Sequence, residues 1–382
     1  MQNRQQPYAA SESGSTSACN IINPADIPCR EICDTDRLVK NPVVSVAMIT
    51  YNHESFIAAA IEGVINQETE YPFELIIGED CSTDRTREIA LQYQQRYPEV
   101  IRVLVSDNNV GARMNALRTR SRVRGKYLAF CEGDDYWHAP EKMQIQVDYM
   151  ESHPTVGLVH SDAHTAAENG KSVIYNTLKT KNISNQTKGD IFLDIVFRDY
   201  RIFKCTVLMR RQLERQIVTD FPEVHCTLRF QMNDTPLWLD ACKLSSLHYI
   251  DRALATYNIH SASLSNNTDI DKDIDFRNSG SAMLGYYLNK YNYPQHYIDA
   301  VNTKQARQLL QKNLTLRKPR YTQYATNCLR MANGRLTLYE KLLATASKHS
   351  MLSALVHFSI KLKRKTALAL FHHQPPTAGI TG

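Results

Sequence analysis

The chain has 382 residues, 43% apolar and 22% charged, with a formal net charge of +6, the balance of an ordinary globular protein. No run of roughly 18 apolar residues offers a membrane-spanning helix, and the polar, Ser-rich N-terminus lacks the apolar core of a signal peptide. Nine cysteines at scattered positions build no disulfide framework, and Cys29 with Cys33 lacks the second pair that a zinc site needs, so a reducing cytoplasm is expected.

Residues 1–42 are low in hydrophobicity and read as a flexible leader. Regular structure then begins. "VVSVAMIT" (43–50) is a β-rich apolar run, as for a strand buried on both faces. "ESFIAAAIEGVINQ" places Ile57, Ile61 and Val64 on one helical face. "FELIIGE" (73–79) is a second strand, followed by a helix with Ser82 or Thr83 as its candidate N-cap and Ile89, Tyr93 and Tyr97 at intervals of four. "VIRVLV" (100–105) and "KYLAFC" (126–131) are the third and fourth strands. "PEKMQIQVDYMESH" predicts a helix with Pro140 in its first turn, and "VGLVHS" (156–161) a further strand. This alternation argues for an open, mostly parallel α/β sheet. Residues 163–189 read as an irregular polar insertion. Helix and strand patterning returns over 189–211 and again over 233–263, where a helix leads into a strand ending near Tyr257. From 269 onward the pattern is helical.

Ligands of such sheets bind beyond the carboxyl ends of the strands. Three polar loops lie there: "TYNHES", "EDCSTD" and "CEGDDYW". The last packs Glu132, Asp134 and Asp135 into four residues after an apolar strand. Carboxylates so crowded suit a hard divalent cation that shares its shell with substrate phosphates. The same residues also suit a solvated turn with capping aspartates ahead of Pro140. A dinucleotide-binding turn is excluded, because the first strand is followed by no G-x-G-x-x-G, and no P-loop sequence occurs.

Together "VSVAMITYNHESFIAAAIEGVINQ", "FELIIGEDCSTDRT", "NVGARMN", "RGKYLAFCEGDDYW" and "NDTPLWLDA" resemble family 2 glycosyltransferases of the GT-A fold, in particular bacterial enzymes that build surface polysaccharide or lipopolysaccharide. The likeness covers residues 43 to about 265. It implies a nucleotide-sugar-binding half (43–162), an acceptor-binding half (163–268) and, outside it, a helical C-terminal region (269–382). It also implies a nucleotide-diphosphate sugar donor, a glycan acceptor, free or lipid-linked, and Mn²⁺ or Mg²⁺; no nucleic acid is involved.

By the same resemblance Thr50, Tyr51 and Asn52 hold base and ribose, and Asp80 pairs with the base. Asp134 faces the ribose, Asp135 binds the metal, and His260 lies beside the diphosphate as a further metal-side residue. Arg113 reaches the phosphates although Met114 stands where the family commonly has a basic residue, and Asn258 replaces a usual Arg. Asp234 is the general base of inverting transfer; before Pro236 it also fits a plain N-cap, a use compatible with the first. A catalytically silent nucleotide-sugar binder and a scaffolding subunit are the rival readings. Beyond Glu340 the chain has no acidic residue. Lys341, Lys348, Lys361, Lys363, Arg364 and Lys365 accompany Met351, Leu355, Phe358 and Leu362 at helical spacing. Such a tail fits an interfacial helix at the inner face of an anionic membrane, or a helix packed on the catalytic domain.

Overall fold

The computed structural model describes residues 20–167, 172–180, 191–197, 200–260, 270–333, 335–356 and 359. They fall into two compact units, one of the described residues up to 273 and one of those from 274 on. The first unit begins with a short strand, β1 (Arg30–Ile32). It continues through β2 (Val44–Thr50), α1 (Ile57–Ile65), β3 (Phe73–Glu79), α2 (Thr86–Arg96), β4 (Ile101–Val105), α3 (Ala112–Ser121) and β5 (Tyr127–Phe130). Next come β6 (Tyr136–Trp137), α4 (Lys142–Ser152), β7 (Val156–Ala167), β8 (Ser172–Ile174), α5 (Thr177–Thr180) and α6 (Ile191–Phe197). The unit closes with β9 (Leu208–Arg210), α7 (Arg211–Asp220), α8 (Pro222–His225), α9 (Thr235–Leu244) and β10 (Ser246–Ile259).

Among the described residues the strands form one sheet in the order β1-β4-β3-β2-β5-β9-β7-β10-β6, with β8 beside β7. β4, β3, β2 and β5 run parallel, as do β7 and β10, while three-residue β9 is antiparallel between the two sets. The mostly parallel α/β sheet expected from the sequence is therefore present.

Strand alternation sorts the core into two layers. Val44, Val46 and Met48 of β2 point one way with Leu75, Ile77, Val103 and Tyr127, and meet Ile57, Ile61 and Val64 of α1 and Met143, Val147 and Met150 of α4. Ala47, Ile76, Leu104 and Leu128 point the other way and meet Leu213 and Ile217 of α7 and Leu237 and Trp238 of α9. Each such side chain, fully buried, contributes about 1.5–3 kcal/mol of transfer free energy. Both faces are covered, which is why the strand sequences read as continuous apolar runs.

Several sequence expectations are corrected here. Part of the expected flexible leader is built in: β1 pairs antiparallel with β4 (Glu31 opposite Leu104), and Ile27 and Leu38 are buried. α2 starts at Thr86, not after Ser82 or Thr83. Its N-cap is Arg85, with no side-chain cap, and Asp84 Oδ1 accepts from the Thr86 amide at 2.9 Å. Pro140 lies two residues ahead of α4 instead of in its first turn. α3 follows Gly111 (φ +86°). It packs so closely on β3 that a Cβ at Gly78 would overlap Thr119 Oγ1 and Asn115 Oδ1.

The second unit is helical, as expected: α10 (Ile270–Lys290), α11 (Gln295–Leu316), α12 (Pro319–Asn333) and α13 (Leu338–Ala346). Leu309, Leu310, Leu314, Leu329 and Leu343 form its core, with Leu352 and Val356 packed on it. Thr337 and Glu340 form a reciprocal capping box at the start of α13, and buried Glu340 also receives Arg307 Nε at 2.7 Å. No helix among the described residues is long and apolar enough to cross a membrane.

Candidate active site

The loops after β2, β3 and β5 meet at one edge of the sheet, as the strand-end argument requires. Asn52, in the left-handed region at φ 54°, knits the first two: its Oδ1 accepts from the Thr83 amide at 2.9 Å, and its amide donates to Ser82 Oγ at 3.0 Å. Tyr51 is exposed at the tip. Thr50 is buried, and its Oγ1 shares a hydrogen bond with His53 Nδ1 at 3.2 Å. The acidic turn after β5 closes onto this pair at Gly133, where a Cβ would approach Thr50 Oγ1 to 2.6 Å and His53 Nδ1 to 3.1 Å. Only a residue without a side chain lets the turn lie there.

The crowding of three carboxylates is resolved by giving each a different partner. Lys204 Nζ donates to Glu132 Oε1 at 2.8 Å. His260 Nε2 lies 2.9 Å from Asp134 Oδ2, and His53 Nε2 lies 3.9 Å from the same atom. Asp135, 2% exposed, turns inward, and its Oδ1 accepts from the Asn258 amide at 2.9 Å.

Electrostatics follow from these environments. Burial raises the Asp135 carboxyl well above its usual range, reinforced by Asp134 and Glu132. Burial also raises Glu132, with Lys204 opposing it. For Asp134 burial pulls the same way, but the hydrogen bond from His260 and the nearness of His53 hold it below the usual range. His53 itself is lowered by burial, against the pull of Asp134.

The group suited to a metal is thus His53, Asp134 and His260, whose donor atoms all lie within 4.8 Å of one another. Of the metal-side residues expected from sequence, His260 belongs to this group and Asp135 does not. Asp135 is buried against β10, one residue past the group. Asp134, expected to face the ribose, stands inside it. The donor set, two imidazoles and a carboxylate, each partly open to solvent, fits a divalent first-row cation.

A cleft is lined by Ile49, Phe130, Lys204, Asn233, Asp234 and Trp238 among others. Asp234 caps α9, its Oδ1 accepting from the Thr235 amide at 2.7 Å. Among the described residues its Oδ2 makes no bond. The cap and a surface on the cleft are therefore the same residue. Lys204 joins the cleft to the acidic turn through Glu132.

Two expected nucleotide contacts are engaged elsewhere. Asp80 is 1% exposed, and its oxygens accept from the amides of Val110 (3.0 Å) and Gly111 (2.9 Å) and from Arg118 Nη2 (3.2 Å). It shapes the loop after β4 and offers the base no open carboxylate. Arg113 does not point free toward phosphates. Its guanidinium donates to the carbonyls of Val224, Phe230 and Met232 and to Asn233 Oδ1, tying α3 to the loop that leads into Asp234.

Sequence reasoning missed His53, Lys204 and Trp238. His53 was legible, since it lies in a strand-end loop three residues after Thr50. Lys204 and Trp238 come from distant segments and carry no local signal. Trp238 is buried on the cleft wall, and its indole N–H has no hydrogen-bond partner among the described residues.

Residues 45–215 match the family described as Glycosyl transferase family 2. An uncharacterised protein of Mycobacterium tuberculosis is 40% identical over 127 residues, which span 33% of this chain and 37% of the relative. A Bacillus subtilis protein named as a teichuronic acid biosynthesis glycosyltransferase, TuaG, is 36% identical over 109 residues, 28% of this chain and 42% of that protein. The chain thus matches less than half the length of these relatives. Among solved structures, S. aureus TarS 1-349 in complex with UDP-GlcNAc superposes with a TM-score of 0.54 at 16% identity, covering 84% of this chain and 92% of that one. At that identity the likeness speaks for the fold alone. Residues 45–215 thus carry the match to glycosyl transferase family 2, and the mostly parallel α/β fold of the first unit is of the GT-A type.

Proposed function

We propose that the chain is a metal-dependent inverting glycosyltransferase. It moves a sugar from a nucleotide-diphosphate donor to a glycan acceptor, free or lipid-linked, in surface polysaccharide or lipopolysaccharide synthesis at the cytoplasmic side of the membrane. The observation that carries this reading is Asp234 on the wall of a cleft whose Lys204 pairs with Glu132 of the acidic turn, two residues before Asp134 of the metal-suited group.

In this reading Tyr51 and Asn52 receive base and ribose at the edge of the sheet. Asp134 and His260 would hold Mn²⁺ or Mg²⁺, which when bound would supply positive charge to the departing diphosphate. Asp234 Oδ2 takes the proton of the acceptor hydroxyl as that oxygen bonds to the anomeric carbon and the carbon–oxygen bond to the diphosphate breaks. The proton moves only as the glycosidic bond forms, so an ordinary carboxylate suffices as base. The Thr235 amide fixes the direction of that carboxylate.

A thermal-shift screen of nucleotide sugars, with and without Mn²⁺, tests donor and metal together, because a ligand that binds only the folded state raises its melting temperature. A shift confined to the Mn²⁺ arm is expected for at least one donor. An equal shift in EDTA would exclude metal-bridged binding. Binding without transfer to any glycan acceptor would point to a silent binder.

A further inference from the structure

We propose that His53 is a third protein ligand of the ion, so that the metal is resident before the donor arrives. The inference rests on the metal-dependent reading above and deepens it. Two ligand atoms each about 2.1 Å from a common ion lie about 3–4 Å apart. The separations to Asp134 Oδ2, 2.9 Å from His260 Nε2 and 3.9 Å from His53 Nε2, match that spacing.

A histidine present only to neutralise Asp134 would be expected at hydrogen-bond distance, and His260 already fills that place. His53 stands outside bonding range yet is held in orientation from two sides. Its Nδ1 is engaged by Thr50 Oγ1 at 3.2 Å, and its backbone amide donates to Thr86 Oγ1 at 2.7 Å. An outer hydrogen bond on one ring nitrogen is how metal-binding imidazoles are aimed. The opposite wall is equally set: the His260 ring stacks on Phe56 at 5.0 Å, and the two imidazoles meet edge to face at 6.0 Å. Gly133 lets the acidic turn approach both Thr50 and His53.

Three side-chain donors, two of them nitrogen, have two consequences. The ion no longer depends on donor phosphates to stay bound. Imidazole also favours later first-row ions over Mg²⁺, which prefers oxygen, so affinity should rise from Mg²⁺ through Mn²⁺ to Co²⁺.

The test is a titration of the full-length protein with Mn²⁺, reading free ion by EPR, without nucleotide and with UDP. One Mn²⁺ bound without nucleotide is expected, its affinity lowered about tenfold or more in His53→Gln. His53→Asp should recover binding and narrow the preference for Mn²⁺ over Mg²⁺. Pulsed EPR of the wild-type complex needs no variant: two coupled imidazole nitrogens support the proposal, and one overturns it. Mn²⁺ bound only with UDP, or equal affinity in wild type and His53→Gln while Asp134→Asn loses the ion, overturns the role of His53 and leaves a metal-dependent enzyme. No Mn²⁺ bound in either arm overturns the metal reading as well.

Discussion

Asp234 combines two tasks that one substitution can separate. Asn keeps the shape and most of the capping capacity, since Asn and Asp cap comparably, but it cannot take a proton. Asp234→Asn should therefore leave melting temperature and donor affinity near wild type, while transfer falls by roughly 10² to 10⁴. Near-normal turnover would remove Asp234 from the chemistry; Asp240, buried and 2.7 Å from His225 Nε2, is then a poor substitute. Asp80 should behave differently. It meets Arg118 with both side chains almost fully buried. Asp80→Ala leaves that guanidinium short of its carboxylate, which costs about 3–5 kcal/mol by the usual worth of breaking a buried pair. A lowered melting temperature without any ligand is expected, with weaker nucleotide binding as a consequence. Unchanged stability in calorimetry would argue against the loop-shaping role.

Among the elements, α4 carries an unfavourable charge. Lys142, its first residue, is fully buried, hydrogen-bonded to Gln146 Oε1 at 2.7 Å and set 4.0 Å from the centroid of the Trp137 ring. Burial lowers its pKa to about 7, and a cation at a helix N-terminus also opposes the macrodipole. The unfolded chain holds the proton up to about pH 10.4. Stability is therefore reduced progressively as pH falls from about 10.4 to 7 and changes little from this group below 7. Lys142→Met should raise the melting temperature at pH 7, with the gain shrinking toward pH 10; a gain independent of pH would assign it to packing instead.

Elements of this kind were unevenly legible. β2 to β5 announced themselves because both faces are apolar. α3 did not, since the residues it buries include Asn115, Arg118 and Thr119, which satisfy one another and nearby carbonyls instead of forming an apolar stripe. The start of α2 was misjudged because residues 81–85 bond to residues 52–54 across the loops, a tertiary effect with no local trace. In the site, the strand-end loops and Asp234 were readable from position. The turn of Asp135 inward and the capture of Arg113 by carbonyls depend on β10 and on residues 224–233, more than a hundred positions away.

At the scale of the molecule, the C-terminal unit sets where its tail can be cut. In helical residues 350–356, Leu352 and Val356 pack on the helical core and Ser353 is buried, while Met351 and Leu355 are 82% and 67% exposed. The expected apolar stripe thus faces outward in its two described members. Phe358, Leu362 and the basic residues from Lys361 on lie outside the described residues. We propose that the stripe and those cations contact anionic lipid. Cosedimentation with vesicles rich in anionic lipid should be strong at low salt and lost at high salt. A protein ended at residue 360 should keep its melting temperature and lose most of that binding. One ended at residue 340 should be destabilised, because it lacks Leu343, Ala346 and Leu352.

The pairing of β1 with β4 has a consequence for handling the protein. β4 lies at the outer end of the parallel strands, and among the described residues the strand that pairs with its free side is Arg30–Ile32, clamped by Arg102 Nε to Glu31 Oε1 at 2.7 Å. A protein begun at residue 43, where the family-like pattern starts, would present Val103 to Val105 as a bare apolar edge. Such an edge recruits strands from other molecules. Self-association and low recovery are expected of that shortened form, and a start ahead of Ile27 should cure them.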